Sequence, residues 1–135
     1  MSGFAEEAKA IETRLAAGWT TTPIRYDNAP FPETTAPYVA LFILDGDGNQ
    51  ISLGAVALRR WVGLIVLQIF VPQDTGTRLA KGYANTLGAL FDRAEFPVEN
   101  GGLIRCRVPS IAEIGIRNGW NQLNVTIPFT RDKQY

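Results

Sequence analysis

Leu64-Ile65-Val66-Leu67-Gln68-Ile69-Phe70-Val71 is apolar at every position but Gln68. Its β-branched residues favour extended backbone, and its length suits a strand better than a helix. A strand apolar on both faces predicts a central position, covered on each side by helices or by another subunit. The neighbouring sequence supplies its partners. Gln122 to Phe129 alternates, with Leu123, Val125, Ile127 and Phe129 on one face and Gln122, Asn124 and Thr126 on the other, the pattern of a half-covered strand. Tyr38 to Leu44 predicts a strand, Asp45-Gly46-Asp47-Gly48-Asn49 the turn after it, and Gln50 to Gly54 the return arm of a hairpin. Thr20 to Asp27 reads as a short edge strand bearing Pro23, and Ala55 to Trp61 as another extended piece. Leu103 to Val108 and Ile111 to Arg117 complete the strands.

Two helices are predicted. The first runs from Gly3 to Ala17 behind a Ser2 cap, with Phe4, Ala8, Ile11 and Leu15 as its apolar stripe. Glu6 and Glu7 near its start suit the helix dipole, Gly18 is a natural stop, and Trp19 is placed to fold back on the stripe. The second starts at Thr75 or Thr77 and runs to Ala94, burying Leu79, Tyr83, Leu87, Leu90 and Phe91. Pro97 and the Gly101-Gly102 pair then break the chain. Short turns between strands favour an α+β fold, a mostly antiparallel sheet flanked by two main helices, in one domain over residues 1–135. Within it, residues 27–37 form a stiff arm carrying Pro30, Pro32, Pro37 and Phe31, and residues 130–135 a polar tail.

Composition narrows the function. Thirteen basic residues balance thirteen acidic ones, so the basic excess usual in a nucleic-acid binder is missing. Histidine is absent, which removes the commonest general base, nucleophile activator and zinc ligand together. Cys106 stands alone, and alternation groups it with Ile104 and Val108 as a buried structural thiol. The longest apolar run is too short to span a bilayer as a helix, and the N-terminus has no signal-peptide core, so synthesis and folding are expected in a cytoplasm without membrane attachment.

Three motifs carry a chemical suggestion. Asp45-x-Asp47-x-Asn49 opens like a calcium loop, but Gln50 stands where glycine is needed and Val56 where the bidentate carboxylate belongs. Gly76-Thr77-Arg78-Leu79-Ala80-Lys81-Gly82 follows a strand and opens a helix, yet its Lys-Gly order is not that of a phosphate loop. Arg59-Arg60-Trp61 suits a base or phosphate, a protein partner, or a strand end with solvated arginines. No carboxylate pair has acid–base spacing, and no metal, cofactor or catalytic residue is assigned.

Gly63 to Arg78 with the helix to Phe91, the close Val125 to Asp132, the N-terminal helix and Pro30-Phe31-Pro32 together resemble the lambda-like tail terminator and tail completion proteins of phages and prophages, over about residues 4–132. The resemblance implies a non-enzymatic virion protein of the tail neck. It would be a homo-oligomeric ring, typically a hexamer, seated on the tail tube protein. There it would stop polymerisation and offer a docking surface to the head connector or stopper, with DNA only passing through the channel. A closed ring needs two different complementary patches per subunit. Phe31, Arg59, Arg60, Trp61, Gln68, Phe70 and Arg131 are the candidate contact residues. Two alternatives are another head–tail joining protein and, in a different class, a small ligand-binding module.

Overall fold

The computed structural model describes residues 4–27, 29–50, 58–75, 77–99 and 102–134. In chain order the elements are α1 (Phe4–Gly18), β1 (Ile24–Tyr26), β2 (Tyr38–Gln50), β3 (Leu58–Pro72), α2 (Thr77–Phe91), β4 (Glu95–Val98), β5 (Gly102–Cys106), β6 (Ser110–Arg117) and β7 (Trp120–Gln134). The α+β class holds, with a mixed sheet. Its order is β1-β2-β3-β7-β5-β4, and β6 also pairs with β7. β1 runs parallel to β2, and the other pairings are antiparallel.

β3 and β7 form the spine. They pair from Leu58↔Gln134 to Pro72↔Trp120. Ile65, Leu67, Ile69 and Val71 on β3 and Leu123, Val125, Ile127 and Phe129 on β7 point to one side, where they meet both helices in one core with Ile11, Leu15, Leu87 and Phe91. Arg14 ties the helices together: its Nε and Nη2 donate to the Leu90 carbonyl at 3.0 and 2.8 Å. Trp19 folds back as its position suggests, edge-on to Tyr83 at 5.1 Å, its indole N–H donating to Thr22 Oγ1 at 2.9 Å.

β5 and β6 occupy the same side of β7 in tandem. β5 pairs with its C-terminal half and β6 with its N-terminal half. The chain bends between them at 107–109, so Cys106 and Ile104 are buried while Val108, expected beside them, is exposed. Burial pushes the Cys106 thiol up to about 11. Asn118 and Gly119 both take positive φ and close β6 onto β7 as a two-residue hairpin. Gly102 also sits at positive φ, and a Cβ there would collide with the Asp132 backbone carbonyl, so this crossing of β5 and β7 requires glycine.

Several expectations change. The edge strand predicted over 20–27 is only three residues long. The turn expected at Asp45–Asn49 is a bulge: β2 continues to Gln50, with the register shifting between Asp45 and Gly48. Pro97 does not end the sheet but sits exposed on the edge strand β4, where its missing N–H costs no ladder bond. The second helix stops at Phe91 and buries Ala80, Ala84, Leu87 and Phe91, leaving Leu79 exposed. The tail expected at 130–135 belongs to β7 through Gln134, because Arg131 is drawn into the interior. The Ser2 cap, the return strand at 51–54, and the Asn28, Gly76 and Gly101 positions lie outside the described residues.

Candidate assembly surfaces

The two faces of β3 differ. Its helix side is sealed, but Val66, Gln68 and Phe70 on the other side are only half-buried, and Val62 and Leu64 are exposed. The expected cover on both faces is therefore supplied by this chain on one face only, among the described residues. The open face continues onto β2 through Tyr38, Phe42 and Leu44 and onto β7 through Gln122, Asn124, Thr126 and Pro128, as the cross-strand register dictates.

That face has two ends. At one, Tyr38 stacks on Phe70 at 4.8 Å, meets Trp120 edge-on at 5.3 Å, and touches Phe31 of the proline-bearing arm at 5.1 Å. The arm thus lays its aromatic ring against its own sheet and borders an open hollow of about 670 Å3 lined by Arg25, Pro32, Glu33, Thr34 and Trp120. At the other end a shallow depression of about 430 Å3 lies between Leu44, Val62, Leu64 and Pro128, with Arg107 on its rim. Gly63 also borders that depression, and glycine is needed there on the helix side, because a Cβ would press to 2.6 Å from the Phe129 ring and 2.9 Å from the Leu44 carbonyl. Gln68 pairs in register with Ala40 and Asn124 midway between the two ends.

Strand alternation splits the Arg59-Arg60-Trp61 trio. Arg60 lies on the open face and grips Asp132 with two bonds of 2.7 and 2.8 Å, with Arg105 at 3.7 Å from the same carboxylate. The Arg60 hydrogen bond holds Asp132 below the usual carboxylate range. Arg59 is exposed. Trp61 points the other way and is buried, as is Arg131, directly across the ladder and 0% exposed. The Arg131 guanidinium lies 4.3 Å over the Trp61 ring and 5.6 Å from the Phe4 ring, and its Nε donates to Glu7 Oε1 at 2.9 Å. These two candidate contact residues are therefore inside the subunit, where they fasten α1 to the sheet. Phe31, Arg59, Arg60, Gln68 and Phe70 remain at the surface or half-buried.

Glu7 is the charged residue that the sequence reading placed at the wrong level. Its place near the helix start suits the dipole, yet it also occupies the buried stripe between Phe4 and Ile11. Burial, and the Asp45 carboxylate beside it, push its pKa up to about 8 against the pull of Arg131. One guanidinium thus faces two carboxylates, and the cluster retains a proton near neutrality. The available signal was spacing: Glu7, Ile11 and Leu15 recur at intervals of four.

Among the described residues no cluster of metal-ligating side chains occurs, and no helix is long and apolar enough to cross a membrane. The profile of the phage tail terminator proteins matches residues 8–129. The chain belongs to the phage tail terminator family. That places it with structural proteins of the bacteriophage tail. No curated protein matches it. A solved structure carrying no functional name shares 19% identity with it over 94% of each chain, at a TM-score of 0.76, and so has the same fold.

Proposed function

We propose that this chain is the tail terminator of a phage or prophage: six copies form a ring on the end of the tail tube, stop its growth, and present the docking surface for the head connector. The ring sits at the neck of the virion and lets DNA pass through its channel, a role that asks for no catalysis and no cofactor. Family membership supplies the class. The observation that carries the finer reading is the sheet's open face, where one half-apolar surface joins an aromatic cluster to the arginine-rimmed depression at Leu44, Val62 and Leu64. Exposed apolar surface rimmed by polar and arginine side chains is the composition of a protein contact. Phe31, Arg59, Arg60, Gln68 and Phe70 are the proposed contact residues, and near-zero net charge suits a channel that must not hold DNA.

The experiment is deletion of the gene from the phage that carries it, with tail lengths measured in negative-stain images. Overlong, headless tubes that return to uniform length when the wild-type chain is supplied are expected. Tails of normal length joined to heads in its absence would refute the proposal.

A further inference from the structure

The sheet has unequal edges. β1 and β4 are three and four residues long, with Pro23 just before β1 and Pro97 within β4. Short edge strands and prolines are what keep an edge from pairing with another chain. Two stretches are less protected. β6, though preceded by Pro109, runs for eight residues with no proline inside it, pairs only with β7 among the described residues, and exposes Ile111, Ile114 and Ile116 at 49, 40 and 61%. On the opposite side of the sheet, β1 covers β2 only over Val39–Leu41, so among the described residues Phe42 to Gly46 has β3 on one side and an open edge on the other. Leu44 in that stretch is 55% exposed.

We propose that β6 of one copy pairs antiparallel with the open Phe42–Gly46 edge of β2 in a second copy, making the sheet continuous from subunit to subunit. This rests on the ring reading above and names its contact. The directions agree: β2 and β7 run the same way because each is antiparallel to β3, and β6 opposes β7, so copies arranged with a common orientation bring β6 against β2 antiparallel. The contact is between two different patches, the kind that closes into a ring rather than a two-fold dimer.

The stagger is also suitable. Glu113 lies level with Leu123, Ile69 and Val39 across the sheet, five residues along β2 from Leu44. Five residues of strand rise by about 17 Å, and the four strand spacings from one β2 to the next span about 19 Å. In magnitude this is a tilt of about 40°, inside the range at which sheets close on themselves. Strand addition at an open edge supplies main-chain hydrogen bonds, and the isoleucines supply specificity.

The test uses full-length protein with Ile114→Cys and Leu44→Cys together, each change alone, and the wild type, whose single thiol is buried. Each sample, concentrated and checked for native circular dichroism, is treated with a short bismaleimide. The double variant is expected to give a ladder of linked species up to the ring, with no ladder from either single variant. Ile116→Glu is expected to leave the melting temperature unchanged while raising the concentration needed for assembly about tenfold or more. Dimers from Ile114→Cys alone would overturn the pairing in favour of a two-fold β6 contact. No ladder would also overturn it. Rings in stained images of that same unlinked sample would show that the pairing had failed and the ring reading had not.

Discussion

The two sides of β3 are built from nearly the same residue types and end in opposite states. Ile65, Leu67, Ile69 and Val71 vanish beneath the helices, whereas Val62, Leu64, Val66 and Phe70, one residue out of step with them, face outward. Hydrophobicity alone therefore does not tell a core from a contact surface. What separates them is the cover: α1 and α2 bring Ile11, Leu15, Leu87 and Phe91 to one face, and the described chain brings only the Phe31 arm to the other. In the proposed ring, this apolar surface is the one that another protein covers.

The comparison breaks most forcefully at Arg131. On the sealed side it is a charge held among Trp61, Phe4 and Glu7, and its removal strands the buried Glu7 carboxyl. Arg131→Ala is expected to cost roughly 3–5 kcal/mol, the range for breaking one partner of a buried pair. Urea unfolding of the isolated subunit measures it. Stability within about 0.5 kcal/mol of wild type would mean that the guanidinium belongs on the outer surface after all.

Much of the fold could be read in the sequence because periodicity reports which side of an element is apolar. The alternation of Leu123 to Phe129 and the Ile11, Leu15 spacing both match the core. Periodicity says nothing about whether an apolar side is covered by the same chain, which is why β3 looked doubly buried. Strand alternation also explains the misplaced candidates. Arg59, Arg60 and Trp61 look like one cluster in sequence, but successive residues of a strand face opposite ways, so Trp61 joined the core and Arg60 the open face. β4 was hidden because Pro97 usually ends a strand, and an edge position that tolerates it depends on its partner β5. The Asp45 bulge looked like a turn for the same reason: glycine and aspartate serve both.

A sharper contrast comes from neighbouring residues of β3. Ile69 is fully buried and Gln68 half-exposed between Ala40 and Asn124. Ile69→Ala is expected to destabilise the subunit by about 2–4 kcal/mol, through lost burial and the cavity left behind. Gln68→Ala should fall within about 0.5 kcal/mol, the usual span for a surface change. Equal losses for both in thermal unfolding would mean that the open face is packed in the isolated chain.

The carboxylates give opposite pH dependences on the two sides. Glu7 has a folded pKa of about 8 against an ordinary 4.5, so the unfolded chain releases its proton first. Its contribution is present below pH 4.5 and is lost as pH rises through 8, by something on the order of 3 kcal/mol between pH 5 and 8. Asp132, held low by Arg60 on the open face, contributes above its ordinary 3.8 and loses that contribution as pH falls through its depressed value. Glu7→Gln is expected to flatten the neutral-range decline and leave the acid limb in place. A decline unchanged in Glu7→Gln would assign the retained proton to another group.

Only a small effect on stability is expected at Phe31, and there the consequences for folding and assembly diverge most. Its ring rests on Tyr38 at 5.1 Å at the margin of the aromatic cluster, on an arm that holds no place in the sheet. Truncation removes one aromatic pair and part of a half-buried side chain, so Phe31→Ala should cost the isolated subunit about 1 kcal/mol. If the cluster is a contact, the same change exposes Tyr38 and Phe70 to water only until a partner arrives, and removes the ring that the partner would meet. Ring yield, or the ability to restore uniform tail length, should then fall by about tenfold, a loss of about 1.4 kcal/mol per contact. A stability loss of about 3 kcal/mol with normal ring yield would make Phe31 a core residue of its own subunit and confine the assembly surface to the Leu44 end of the sheet.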